Sequence, residues 1–357
     1  MKKVITIFMF LFFASIVIYG GTTGKLVGKV IDKKSREPLP LVNITIEGTN
    51  LGGSTDIEGN YIILNIPPGR YNVKYQFVGY KPVVVSNVII SIDLTTVQNV
   101  EMEESTIALE EVVVRANVYG IQKDVTSSQA KVTADEINNL PVVELNDVLQ
   151  LQAGVTKGAG GEFHIRGGRT TEIAYWVNGV SITDAFDNSR GIDIDNSSIQ
   201  ELQVISGTFN AEYGQALSGI VNVVTKEGGR KFDGNIKLYS SDYLSNFTEY
   251  FTGIDKFNPF TNYNLQGSLS GPIPLTNDKL TFFSNLRYTY DDGYLYGIRK
   301  FNPDGSQGDG KLVPMNYSKR LLGQLNLSFF PSSSIKMNAE LLYSTNNYKD
   351  YNHFFKL

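Results

Sequence analysis

From Lys231 onward the chain alternates apolar and polar residues, and nothing else in its 357 residues restricts the fold as tightly. Gly234, Ile236 and Leu238 alternate with Asn235 and Lys237; Tyr263, Leu265, Gly267 and Leu269 alternate with Asn264, Gln266 and Ser268. Leu280, Phe282, Leu286, Tyr288 and Tyr290 alternate with Thr281, Asn285, Arg287 and Thr289, and the runs Leu321 to Phe329 and Ile335 to Tyr343 repeat the pattern. A period of two sends successive side chains to opposite faces of a strand, so each run predicts a strand with one apolar and one polar face. Five such strands predict an antiparallel wall that meets lipid on one side and water on the other; the alternative is a soluble antiparallel β domain with one wet face. The connections alternate long and short: Leu244 to Asn262, Pro272 to Lys279, Asp291 to Lys319, Pro331 to Ser334. Membrane barrels keep short turns on the inner side and long loops outside, so the first strand is expected to run outward.

Composition removes most enzyme chemistry. The only histidines are His164 and His353 and there is no Cys, so a Cys/His zinc site, a Cys nucleophile and a disulfide framework have no residues to build them. Neither histidine sits in a hydrolase-like context. The chain is therefore expected not to be an enzyme, with no catalytic, cofactor-binding or metal residue assigned. Lys plus Arg number 32 against 36 acidic residues, a net charge of -4, which offers no footprint for nucleic acid.

At the N-terminus Lys2 and Lys3 precede a run of 16 mostly apolar residues, Val4 to Tyr19, then Gly20-Gly21-Thr22-Thr23. That run is shorter than the roughly 20 residues of a membrane-spanning helix, so residues 1–21 are expected to be a secretory signal peptide, with an uncleaved anchor as the alternative. Residues 24–104 follow as short β-rich segments, among them Lys25 to Ile31, Leu41 to Ile46, Asn60 to Leu64 and Tyr71 to Phe77. Turn chemistry lies between them at Asp56-Ile57-Glu58-Gly59-Asn60 and Pro67-Pro68-Gly69-Arg70, the grammar of a small β-sandwich. Asp56 and Glu58 lack the spacing of an Asp-rich calcium loop and read as a hairpin turn. The strings GKVID, PLPLVNITIEGT, STDIEGNY and PPGRYNVKYQFVGY resemble the carboxypeptidase regulatory-like domain, an accessory module that does not hold peptidase chemistry.

Residues 105–125 form a linker around Leu109-Glu110-Glu111-Val112-Val113-Val114-Arg115, where three consecutive β-branched residues favour an extended backbone. Such a strand can dock onto the sheet edge of a partner; it can equally be the last strand of the sandwich or the first of the next domain. Residues 126–229 are glycine-dense and mixed α/β. Thr133 to Glu136 has capping-box spacing opening a helix that Pro141 stops, a second helix is expected from Leu145 to Leu151, and Asn178-Gly179 marks a two-residue hairpin. Gly167 and Gly168 are expected to turn the chain between strands, with Arg166 and Arg169 projecting from that turn and His164 on a strand face.

The strings HIRGGRTTEIAYWVNGVSI and IQELQVISGTFNAEYGQALSGIVNVVTKEGG resemble the plug domain of TonB-dependent outer-membrane receptors along nearly its full length. The matching residues are Arg166, Gly167, Gly168 and Arg169, the pair Asn178 and Gly179, and Glu212, Tyr213 and Gly214. The resemblance implies that the arginine of the glycine turn is held against the inside of a barrel and that Glu111, Val112, Val113 and Val114 form a TonB box. It also implies a multi-domain, mainly β chain: a small β-sandwich, an α/β plug, and over 231–357 the first strands of a transmembrane antiparallel β-barrel. The implied partners are TonB with its energising inner-membrane complex, outer-membrane lipid, and a substrate such as a metal chelate, glycan or peptide. The implied activity is energy-coupled uptake across the outer membrane, with the N-terminal domains facing the periplasm. Plugged transporters close with about 22 strands against the five counted, so the chain is expected to be the N-terminal part of a larger receptor. A periplasmic or surface binding module without transport is the alternative.

Overall fold

The computed structural model describes residues 23–105, 112–115, 128–158, 161–207, 213–214, 216–302, 304–332 and 335–351. The expected signal peptide lies outside the described residues, as do Glu111 and Glu212.

The first unit is a sandwich of two sheets. One joins β1 (Gly24–Asp32) to β4 (Asn60–Ile66), β7 (Thr95–Val97) and β8 (Val100–Met102); the other runs β3 (Gly52–Ser54), β2 (Asn43–Ile46), β5 (Gly69–Gln76), β6 (Val83–Ile90), β9 (Val112–Arg115). Alternate residues of each sheet, among them Leu26, Val30, Ile63, Ile44, Val73 and Val85, close a single apolar core. Each fully buried aliphatic side chain contributes about 1.5–3 kcal/mol by leaving water. Two polar groups inside are satisfied. Tyr61 Oη donates to the Gln98 carbonyl at 2.7 Å, Tyr75 Oη lies 2.7 Å from Tyr61 Oη, and burial pushes both phenols above their ordinary range. The Asp56 carboxylate accepts from the backbone N–H groups of Glu58 (2.9 Å) and Asn60 (2.8 Å), with Gly59 at φ +75°, which is turn chemistry. β6, β7 and β8 go beyond the strands read from the sequence, and β9 extends the sheet past residue 104.

The second unit is built on a five-stranded sheet ordered β10 (Ser128–Thr133), β15 (Ile199–Ser206), β16 (Gly219–Thr225), β13 (Ile173–Val177), β14 (Val180–Ser181). The hairpin β11 (Val155–Lys157) and β12 (Phe163–Ile165) and two short helices, α1 (Ala134–Asn139) and α2 (Leu145–Gln150), cover it. Thr133 caps α1: the Glu136 N–H meets Thr133 Oγ1 at 3.4 Å, and the Thr133 N–H donates to Glu136 Oε2 at 2.7 Å. Val148 and Leu149 of α2 are buried in the core, with Ile165, Ile173, Leu202 and Val221.

The third unit is an antiparallel wall in simple order: β17 (Asp233–Ser241), β18 (Asn262–Pro272), β19 (Leu280–Asp291), β22 (Ser318–Ser332), β23 (Ile335–Tyr348). Its connections alternate long and short, and the second long one folds on itself as a hairpin of β20 (Tyr296–Ile298) and β21 (Leu312–Pro314) that was not read from the sequence. The wall is inside-out relative to a soluble sheet. Leu286 is 56% exposed while the next residue, Arg287, is 3% exposed. Asn264, Gln266, Asn285, Gln324 and Asn326 are likewise buried against the second unit, and Leu265, Leu269, Leu325 and Leu341 face outward.

Candidate functional site

The Val112 to Val114 segment is not a free strand. β9 lies parallel to β6 in the register Val83↔Val112, Val84↔Val113, Val85↔Val114, Ser86↔Arg115. The Val112 N–H donates to the Pro82 carbonyl at 2.9 Å, and Ser86 Oγ lies 3.4 Å from the Val114 carbonyl oxygen. Of the readings the sequence left open, the segment takes that of a last strand of the sandwich: β6 would otherwise be an edge strand, and a β-branched run fits it. In a parallel ladder every second residue faces the neighbour, so Val112 and Val114 turn to β6 and Val113 turns its N–H and C=O to the outer edge. The three side chains stay exposed, Val113 most at 66%.

The glycine turn follows β12. Arg166 and Gly167 have φ +50° and +77°, the Gly168 N–H donates to the Ile165 carbonyl at 2.9 Å, and a Cβ on Gly168 would lie 2.1 Å from Ser218 Cβ. His164 sits on β12 with Nδ1 2.9 Å from the Gly168 carbonyl oxygen, a backbone contact. The Arg169 N–H donates to Glu172 Oε2 at 3.0 Å. Among the described residues neither Arg166 nor Arg169 forms an ion pair with the wall. Tyr213 stacks edge-on to Trp176, ring centroids 5.5 Å apart, and Gly214 follows it.

Asn178 and Gly179, at φ +48° and +79°, make the tight turn between β13 and β14. Asn178 also touches the wall: its Nδ2 donates to Glu340 Oε2 at 2.5 Å and to Thr225 Oγ1 at 2.6 Å, while Thr225 Oγ1 donates to Glu340 Oε1 at 2.7 Å. The turn thus carries both the local fold and a contact between units.

Apart from Glu227, the strongest contacts between the second unit and the wall come from residues outside the quoted plug strings. Arg287 of β19 pairs with Glu144 (3.1 Å) and Asp195 (3.4 Å) and donates to the Val143 carbonyl at 3.0 Å. Arg320 of β22 pairs with Glu144 and, at 3.8 Å, with Asp193, which also holds Arg190 at 2.6 Å. Asp195 further accepts from Gln266 Nε2 and the Ser197 N–H, both at 2.7 Å. On β23 Lys336 Nζ pairs with Glu227 at 2.6 Å. In these ion pairs the cations stand on the wall and the carboxylates on the second unit. A sequence signal existed: Arg287 is a charge at a polar-face position of a two-residue period, and a charge so placed against protein needs a partner.

Beside these contacts lies a polar gap of about 340 Å³ between the second unit and β17 and β18, lined by residues including Asn138, Ser197, Lys226, Lys237 and Gln266. Burial, reinforced by the neighbouring Lys237 charge, holds the Lys226 amine below the ordinary lysine range. The cleft is therefore polar, with Asp233 beside the two lysines.

Two family models match the chain: the CarboxypepD_reg-like domain over residues 26–114 and the TonB-dependent receptor plug domain over residues 121–221. The TonB-dependent transporter Oar of Myxococcus xanthus is 27% identical over 297 residues, covering 76% of this chain and 27% of the relative. The chain is similar to the TonB-dependent receptors and carries their plug domain. The TonB-dependent receptor SusC of Bacteroides thetaiotaomicron is 23% identical over 349 residues, covering 90% of this chain and 34% of the relative. The chain spans 22 to 34% of the length of the curated relatives it matches. Among solved structures the outer-membrane transporter YddB of Escherichia coli superposes with a TM-score of 0.47 at 15% identity, over 63% of this chain and 33% of that one. The second unit is thus the plug, and β9 falls inside the first family match.

Proposed function

We propose that the chain serves energy-coupled uptake across an outer membrane: substrate binds the long loops and plug apex, and TonB, pulling on Glu111 to Val114, opens a path beside the plug. The observation that supports this best is a five-stranded wall with apolar residues outward along β18, β19 and β22, its polar face tied to the plug by ion pairs at Arg287, Arg320 and Lys336. An outward apolar face suits lipid, and polar contacts on the inner face suit a plug that moves against water. Residues 24–104 and 126–229 face the periplasm in this reading, 105–125 link them, and 231–357 begin the barrel. The substrate is a metal chelate, glycan or peptide, bound without any bond being made or broken in it. Arg166, Gly167, Gly168, Arg169, Asn178, Gly179, Glu212, Tyr213 and Gly214 shape the plug, and the polar gap beside Lys226 and Lys237 is where the path opens.

Docking by strand addition uses main-chain groups, so deleting Val112 to Val114 tests it. The purified receptor should lose binding to the periplasmic C-terminal domain of TonB while still fractionating with the outer membrane. Unchanged binding would overturn the assignment.

A further inference from the structure

We infer that Glu201 seats the sandwich on the plug, so that the two units are held as one body beside the polar gap. The β10–β15 register pairs Thr133 with Glu201 and Lys131 with Gln203, and a period of two sends these four side chains to one face of the plug sheet while Val132 and Leu202 enter its core on the other. Glu201 is 2% exposed although it lies outside that core. The sandwich covers it: across the interface the carboxyl faces the Ile92 N–H and the Ser91 hydroxyl, beside the 2.8 Å hydrogen bond from Gln203 Nε2. Ser91 and Ile92 follow β6, and Ile92 is 1% exposed although it is no member of the sandwich core. Each unit thus buries, against the other, residues that its own core does not use.

The same end of the sandwich carries the remaining contacts. Gly69 and Arg70 begin β5 opposite Ile90 and Ile89. Arg70 Nε pairs with Asp135 Oδ2 of α1 at 3.1 Å, a Cβ on Gly69 would lie 3.3 Å from Gln200 Nε2, and Asn50 Nδ2 lies 3.5 Å from the Asp278 carbonyl oxygen of the wall. The Arg70 pair is exposed and adds little, so the buried group decides. A buried carboxyl is tolerated only where donors meet it, and Lys131, whose Nζ is buried without a hydrogen bond, faces both Glu201 and Asp93 of the sandwich. A sandwich turned or shifted on the plug takes the Ile92 and Ser91 donors away from Glu201, and in this way one buried group fixes the orientation of a whole unit.

Seated in this way, the three units border a cavity of about 820 Å³, with Arg70 and Asn72 on the sandwich, Asn138 and Lys226 on the plug, and Asp233 and Ser268 on the wall. The last four residues also line the polar gap, so a path through the gap passes the sandwich before it reaches the periplasm. That consequence rests on the uptake proposed above; the seat itself does not.

The test uses the full chain in detergent, with nitroxides on Ile57→Cys in the sandwich and Phe186→Cys in the plug, both exposed positions in a chain without cysteine. One narrow distance between them is expected. Glu201→Ala should add a second, broader distance and speed amide exchange over Ser91 to Leu94 at least about tenfold, with exchange in β1 and β16 unchanged. Glu201→Gln keeps an acceptor and should keep the narrow distance. A broad distance with the native seat, or a narrow distance and unaltered exchange in Glu201→Ala, would overturn the seat. Where Glu201→Ala also speeds exchange in β16, Ser91→Asp, which sets a carboxylate against Glu201 from the sandwich side, decides by the same two readings. Neither TonB nor a substrate enters these measurements, so their failure leaves the uptake reading standing, whereas unchanged TonB binding by the Val112 to Val114 deletion would overturn that docking role and leave the seat.

Discussion

In β1 of the sandwich the buried side chains include Leu26 and Val30; in β18 of the wall they include Asn264 and Gln266, with Leu265 and Leu269 turned outward. Both strands carry the same two-residue alternation, and the difference lies in what each covers. The sandwich closes one apolar face on another, so its stability comes from leaving water. The wall lays a polar face on the plug, where Arg287, Gln266 and the Asn285 Nδ2 group find partners in Glu144, Asp195 and Ser197 while atoms such as Asn326 Oδ1 and Ser328 Oγ have none. Alternation thus specifies a strand with two unlike faces, and the neighbouring unit decides which face is inside.

The largest expected effect comes from breaking the polar side. Arg287→Ala leaves the Asp195 carboxylate buried without its cation, and breaking such a pair costs about 3–5 kcal/mol. Urea unfolding of the detergent-solubilised chain, followed through the single Trp176 in the plug, should show that loss; a change below about 1 kcal/mol would mean the network does not hold the plug. Next comes a matched pair of truncations. Leu26→Ala should destabilise the sandwich by about 2–5 kcal/mol, read as faster amide exchange across β1 and β4, whereas Leu265→Ala on the wall should leave exchange at the plug unchanged. Equal effects on both units would erase the contrast.

The smallest effect is a pH slope. Glu201 of β15 is buried in the plug, and burial raises its carboxyl above the ordinary range despite a 2.8 Å hydrogen bond from Gln203 and the Lys131 charge. Between the ordinary glutamate value near about 4.3 and the raised one, the folded plug holds a proton that the unfolded chain has released, so stability falls as pH rises through that window. Glu201→Gln should flatten that fall in urea titrations at several pH values; an unaltered slope would place the titration elsewhere.

Local chemistry was the legible part of this chain. The cap at Thr133, the turn at Asn178-Gly179, the Asp56 turn and the alternation in β18, β19 and β22 each rest on residues close in sequence, and each appears in the structure, whereas β17 is exposed on both faces. What the sequence hid depends on distant partners. Whether β9 docks on a partner or closes the sandwich stays open in the sequence because its neighbour β6 lies 29 residues away in register with it, and periodicity carries no information about which edge accepts a strand. Likewise Glu144 and Asp195 look like ordinary helix-capping acids, and only the fold brings Arg287, 143 and 92 residues later, against them.

The most direct test of the inside-out wall uses single cysteines in this Cys-free chain, placed in turn at Leu265, Gln266, Ser284, Asn285, Leu286, Gln324 and Leu325, labelled with an environment-sensitive fluorophore and reconstituted in bilayers containing a lipid-borne quencher. Quenching should alternate with a period of two, strong at Leu265, Leu286 and Leu325 and weak at Gln266, Asn285 and Gln324. Uniform or absent quenching along β18, β19 and β22 would contradict the wall as a lipid-facing surface closed around a plug.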